Sequence, residues 1–287
     1  MSKSNRFIPE KIKGSVQLTK GELKILTSLS KKKGRQKEGR FLAEGVRLLE
    51  SALNFGVYPS KIFYYPPGLT PRGKDLVREF SSERKIETQT VSSRDFHRIC
   101  DTENPQGIIG LFQIPALEFK KSSLAKAKTF LIVDNIQDPG NLGTIIRGAV
   151  AFEFDPILVF GDTVEAYSPK VIRSTAGAIF AAKLMKLESA DLAQLKENGG
   201  IRLIVSALDG VPEDKWKLNF GKSSSGTLAF VVGSESEGVS SKLRELADQI
   251  IRVSHSEKQE SLNAGVAASV IMRHIYLQGR WKQDKLV

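Results

Sequence analysis

The sequence predicts an α/β protein in two parts: a parallel sheet with helices on both faces, preceded by a smaller α/β module. Three observations carry this. Apolar runs recur over 130–134, 157–160, 202–208, 228–233 and 249–253, the pattern of strands covered on both faces. Helical stretches at 142–152, 170–187, 241–247 and 262–277 alternate with them, and such alternation produces parallel sheets. A separate, shorter alternation fills the first part of the chain and is divided from the second by a polar, lysine-bearing stretch.

Taken in order, residues 1–40 hold 12 Lys or Arg against 3 Glu, densest at Lys31-Lys32-Lys33-Gly34-Arg35-Gln36-Lys37. A like-charged block repels itself and resists burial, so it reads as a basic N-terminal arm. It is either a solvated tail or a polyphosphate contact, because each cation that neutralises a phosphate releases counterions. An anionic membrane is the poorer partner, since no apolar face accompanies the charge. Val46, Leu49 and Leu53 then mark a helix that stops near Asn54-Phe55-Gly56, where Gly56 can take the left-handed cap. A strand at 61–65 is broken by Pro66-Pro67-Gly68, and 71–84 reads as a helix with a strand at 86–91 behind it. Ser92 or Ser93 can cap a short helix running to Cys100, and 107–114 returns as an apolar strand. Residues 41–115 thus form one module, 116–128 a linker and 129–287 the second domain.

With 287 residues and 40% hydrophobic content the chain can build real cores. Its formal charge is +11. No apolar run approaches the roughly 18 residues that cross a bilayer. Residues 1–14 lack the apolar stretch of a signal peptide, so a cytoplasmic address and no membrane partner are expected. Cys100 is the single cysteine, which leaves no disulfide and no thiol cluster for zinc, and it reads as a small buried hydrophobe. His97, His255 and His274 have no metal-ligand spacing, so no metal is expected.

Three segments carry the chemistry: Asp138-Pro139-Gly140-Asn141-Leu142-Gly143-Thr144-Ile145-Ile146-Arg147, Gly233-Ser234-Glu235-Ser236-Glu237-Gly238, and Glu260-Ser261-Leu262-Asn263. All follow apolar runs, and parallel sheets bind ligands at the carboxyl ends of their strands. The usual nucleotide signatures are missing. No G-x-G-x-x-G follows a strand. Gly221-Lys222-Ser223 has the tail of a P-loop, but Trp216 stands where its first glycine belongs. The second segment is not a G-x-S-x-G elbow.

Each segment has a plain structural reading beside the functional one. Asp138-Pro139 suits a helix start whatever the protein does. Arg147 offers either an ion pair to a nearby carboxylate or a fork that grips phosphate. The two glycines around Glu235 and Glu237 permit a tight turn, or let backbone approach a ligand. Ser261 and Asn263 precede an apolar helix and can simply cap it.

In order and spacing, the three segments resemble the motifs of the SpoU (TrmH-like) RNA ribose 2′-O-methyltransferases, and the resemblance covers most of the chain. It implies a SPOUT-type α/β catalytic domain with a trefoil knot. It also implies S-adenosylmethionine as donor, a homodimer formed through the C-terminal domain, and structured RNA, ribosomal rather than transfer RNA, as partner. By the same resemblance, residues 41–114, with Arg40-Phe41-Leu42-Ala43-Glu44-Gly45 and Gln106-Gly107, correspond to a ribosomal-protein-like RNA-binding domain. The catalytic candidates it implies are Arg147, Asn141, Glu235, Ser261 and Asn263. Gly233, Ser234, Gly238, Val253, Ser261 and Leu262 are the candidates for the donor cleft. Lys31, Lys32, Lys33, Arg35, Lys37 and Arg40 are the RNA-binding candidates.

The chain departs from the family pattern at Val253-Ser254-His255, where Ile-Pro-Met is common, and at Glu257, Gly148 and Phe152-Glu153. A non-catalytic RNA-binding or ribosome-assembly protein of the same fold, or a transfer-RNA methyltransferase, are the alternative readings.

Overall fold

The computed structural model describes residues 18–124, 127–196, 200–217 and 226–283. The P-loop-like Gly221-Lys222-Ser223, residues 1–17 of the expected arm and the last four residues of the expected second domain lie outside the described residues. The chain divides into two compact units, 1–113 and 114–287.

The first unit runs α1 (Lys20–Ser28), α2 (Lys32–Glu38), β1 (Arg40–Glu44), α3 (Val46–Asn54), β2 (Lys61–Tyr64), α4 (Pro71–Arg78), β3 (Glu87–Thr90), α5 (Ser93–Ile99) and β4 (Ile108–Gln113). The sheet order is β1-β4-β2-β3, with β4 antiparallel to both neighbours and β3 parallel to β2. The expected end of α3 and cap of α5 are present. Gly56 has φ +69°, and the Ser92 hydroxyl accepts from the Asp95 amide at 3.2 Å.

The described part of the lysine-rich segment is not an arm. Thr19 and Glu22 form a capping box at the start of α1. Leu18, Leu23, Leu26 and Leu29 bury in a cluster with Phe63, Phe96, Ile109 and Leu111. Leucines every three residues seat the helix while the lysines keep their heads in water. Arg35, grouped by sequence with the RNA-binding cations, is only 2% exposed. Its Nη1 donates to the Leu29 carbonyl at 2.7 Å, so it is a packing residue that ties α2 to the end of α1. Arg40 is half-buried on β1, an element the sequence reading left out, and its Nε is buried without a hydrogen-bond partner. Lys31, Lys32, Lys33 and Lys37 are exposed. Cys100 is half-buried against the same cluster. Burial first, then the Glu44 carboxylate, push its thiol well above the ordinary value, which leaves it protonated and unreactive.

The second unit runs β5 (Thr129–Asp134), α6 (Pro139–Ala151), β6 (Ile157–Phe160), α7 (Pro169–Ser174), β7 (Leu184–Lys186), α8 (Leu192–Lys196), β8 (Ile201–Pro212), β9 (Thr227–Val232), α9 (Ser241–Glu245), β10 (Gln249–Arg252) and α10 (Ala264–Gln283). Its six strands are all parallel, in the order β10-β8-β9-β5-β6-β7. Chain order reverses beside β5, where β6 lies on one side and β9 on the other, and ligands bind at such switch points.

Two expectations fail here. The helix expected over 170–187 stops at Ser174, because Ala176 and Gly177 turn the backbone left-handed at φ +49° and +97°. The chain then becomes the edge strand β7. The linker expected over 116–128 belongs to this unit: Leu124 is buried with Phe130 and Leu158, and the Lys186 amide donates to the Leu117 carbonyl at 2.6 Å. Among the described residues no helix is long and apolar enough to cross a membrane.

Candidate active site

The first segment lies where β5 passes into α6. Asp138 caps this helix, its Oδ1 accepting from the Asn141 amide at 2.8 Å, with Pro139 in the first helical turn. Proline costs nothing there, since that N–H would have no partner. The cap leaves the Asn141 side chain at the helix mouth.

The second segment leaves β9, the strand next to β5, and closes on itself. Ser234 and Gly238 exchange backbone hydrogen bonds, each at 3.1 Å. A Cβ at Gly233 would lie 2.1 Å from the Gly238 carbonyl oxygen, so only glycine fits at the base of this loop. Beyond it the Ser240 amide donates to Oδ2 of the fully buried Asp134 at 2.6 Å, which ties this loop back to β5. In the third segment Asn263 caps α10, its Oδ1 accepting from the amides of Gly265 at 3.1 Å and Val266 at 3.2 Å.

These caps meet in one junction. Oε1 of Glu235 accepts from Asn141 Nδ2 at 3.0 Å, Asn263 Nδ2 at 2.6 Å and the Ala264 amide at 3.0 Å. Asn263 Nδ2 also donates to Asn141 Oδ1 at 2.7 Å. A carboxylate at the mouth of α10 complements the positive end of that helix. Asn263 thus caps the helix and also locks three motifs together.

Beside the junction is a cleft of about 380 Å³. Gly233, Ser234, Gly238, Val253, Ser261 and Leu262 all line it, as does Glu235. The sequence reading missed Leu208, Asp209, Arg244, Arg252 and His255, which line it as well. Leu208 and Asp209 reach the cleft through an irregularity: β10 pairs Ile250 with Val205 but Ile251 with Val211, so the intervening part of β8 bows out. No short motif announces such a bow. Arg252 and His255 were within reach, since they flank Val253 closely in sequence. Arg244 is paired with Asp209.

Arg147 is not part of the junction. It lies on α6 six residues past Asn141, about 9 Å along the axis at the usual helical rise. Its side chain is exposed, and among the described residues it makes no hydrogen bond or ion pair. Neither an ion pair nor a bond from Asn141 holds it; the Asn141 amide is taken by Glu235 and Asn263. One residue on, Gly148 lets α6 approach α10, because a Cβ there would lie 2.7 Å from Met272 Cε. The Ser261 side chain has no bond partner among the described residues, and its carbonyl accepts from Gln259 Nε2 at 3.0 Å.

Residues 128–273, just over half of the chain, match the model of the SpoU rRNA methylase family. The chain belongs to the SpoU rRNA methylase family. Residues 20–110 match the MRM3-like substrate-binding domain. That match begins at the first residue of α1 and takes in both lysine-bearing helices. Among curated SpoU relatives, the 23S rRNA (guanosine(2553)-2′-O)-methyltransferase RlmP of Bacillus subtilis is 31% identical, over 88% of this chain and 95% of its own. An uncharacterized tRNA/rRNA methyltransferase of Synechocystis is 29% identical, over 87% and 88%. A solved RNA 2′-O ribose methyltransferase superposes with a TM-score of 0.74 at 26% identity, covering 92% of this chain and 98% of that one. The AdoMet-bound rRNA methyltransferase of Sinorhizobium meliloti shares the fold, with a TM-score of 0.76 at 24% identity over 90% and 96%. The SpoU match spans the junction, Arg147 and the whole cleft.

Proposed function

We propose that this SpoU protein transfers a methyl group from S-adenosylmethionine to a ribose 2′-hydroxyl of structured ribosomal RNA. The observation that carries the reading is the cleft walled by the second and third segments, beside a junction that fixes both and on the same helix system as an unpartnered guanidinium. The cleft fits the donor: its volume falls in the range of small-molecule sites, Leu208, Val253 and Leu262 offer apolar wall, and the self-closed loop at Gly233 brings backbone to its edge. When bound, S-adenosylmethionine supplies an electrophilic methyl on a sulfonium.

The chain's own groups bind and position. Gly233, Ser234, Gly238, Val253, Ser261 and Leu262 hold the donor. Asn141, Glu235 and Asn263 fix the two walls relative to α6, and Glu235, with one oxygen committed to three donors, serves this frame. Arg147 is a poor base, since a guanidinium keeps its proton, so the 2′-hydroxyl proton passes to solvent water. It grips the phosphate beside the target ribose and stabilises charge that develops on the 2′-oxygen. Lys31, Lys32, Lys33 and Lys37 contact RNA phosphates from the first unit.

The same proposal includes the trefoil knot, a cytoplasmic address and a homodimer. For the dimer the support is α10, where Val266, Val270 and Leu277 stand 48%, 37% and 43% exposed at helical spacing. Apolar side chains repeated along one helix face favour a protein partner. A non-catalytic RNA binder of this fold is the second reading, favoured by the altered Val253-Ser254-His255 stretch, two of whose residues, Val253 and His255, line the cleft. Calorimetry separates the two: a 1:1 enthalpy change with S-adenosylmethionine supports the enzyme, and silence at millimolar donor supports the binder. Mapping ribose methylation in RNA from cells with and without the gene then identifies the nucleotide.

A further inference from the structure

The wall of the cleft that carries Val253 and His255 belongs to a stretch, 253–262, with no helix or strand of its own. Among the described residues, both hydrogen bonds that reach this stretch from outside are made by Ser254. Its amide donates to Glu213 Oε2 at 2.6 Å and its hydroxyl to Asp214 Oδ1 at 2.9 Å. The turn that supplies these carboxylates is itself fixed. The Glu213 amide donates to the Arg252 carbonyl at 2.9 Å. Two residues beyond Asp214, the buried Trp216 donates through Nε1 to Gln249, and its carbonyl accepts from Gln278 Nε2 at 3.2 Å. The His274 ring lies beside the same carbonyl, at 3.3 Å. A connected path thus runs from α10 through Trp216 and the acidic turn to one serine, and from that serine to the side chains on either side of it that face the cleft.

We infer that the Glu213–Asp214 turn is a clasp, with Ser254 as its catch, that sets the Val253–His255 wall at the distance the donor requires. Glu213, Asp214 and Ser254 are positioning residues for donor binding and touch no reacting atom. Bonds to charged acceptors are the stronger kind, and among the described residues no other hydrogen bond from outside reaches this loop. A proline at 254 has no N–H for Glu213 to accept, so this clasp is available only to a chain that carries another residue there. The inference rests on the cleft being the donor site.

The test uses the full chain and two readouts. The first is the S-adenosylmethionine dissociation constant by calorimetry for Ser254→Ala, Asp214→Ala and the double variant. Each single change is expected to weaken binding about 3- to 10-fold, the double change no more than the worse single, and Ser254→Thr to restore affinity. Turnover at saturating donor is expected to stay within about 2-fold, so that KM moves and kcat does not. Additive losses, or an unchanged dissociation constant, overturn the inference. The second readout is amide exchange over 253–256 in the donor-free protein, where Glu213→Ala is expected to speed exchange at Ser254 at least 10-fold. If the wild type binds no donor, the proposed methyl transfer fails, and exchange alone decides the clasp: acceleration confined to this stretch supports it, and unchanged exchange refutes it.

Discussion

Asn141, Glu235 and Asn263 are hydrogen-bonded to one another, whereas the side chain of Arg147, on the same helix as Asn141, makes no bond among the described residues. The contrast separates two jobs that sequence motifs run together. Groups that build a site hold their geometry in the absence of substrate by bonding to one another, each bond to a charged group contributing about 1.5–3 kcal/mol at most. A group that binds an anionic substrate does better unpaired and exposed, since any internal partner must first be displaced. The first unit repeats the contrast. Arg35 is buried and bonded, and Lys31 to Lys33 are exposed only a few residues away.

The largest effect should follow loss of the unpartnered guanidinium. Arg147→Ala is expected to lower methyl transfer at least about 10²-fold, the usual scale for removing one charge-stabilising donor. The donor dissociation constant should stay within about 2-fold and the melting temperature should not move. Equal loss of donor affinity would place Arg147 in the donor site and erase the distinction.

Glu235→Ala should do the reverse, with stability as its first casualty. Losing an acceptor shared by three donors costs about 2 kcal/mol at this exposed position, roughly 4–8 °C in a unit of this size. Calorimetric melting checks it, and an unchanged midpoint would mean that the junction is not the frame. In the first unit, replacing Lys31, Lys32 and Lys33 together by Ala should reduce the slope of log affinity for RNA against log salt by about 2–3, with folding intact. Arg35→Met should leave that slope alone and lower the unit's stability by about 1 kcal/mol. If the two results are exchanged, burial does not sort these cations.

What could be read in advance follows the range over which each signal acts. Asp138 as a cap, Pro139 in the first turn and the end of α3 at Asn54 are decided by a few neighbours, and all stand as expected. The parallel strands 129–134, 157–160 and 227–232 announced themselves because burial on both faces demands unbroken apolar runs. The capping box at Thr19 and Glu22 was equally local, yet the lysine count hid it and the leucines spaced behind it. Apolar spacing over 170–187 suited a helix, and the left-handed turn at Ala176 decided otherwise. The bow in β8 that delivers Leu208 depends on register with β10, which a sequence alone does not display.

The junction at Glu235 also fixes when the site can close. Its partners come from either side of it, Asn141 being 94 residues earlier and Asn263 being 28 residues later. A nascent chain that has not yet delivered Asn263 from the ribosome cannot close the site, however well its earlier strands have folded. The three segments are therefore locked together in one step, when Asn263 reaches Glu235.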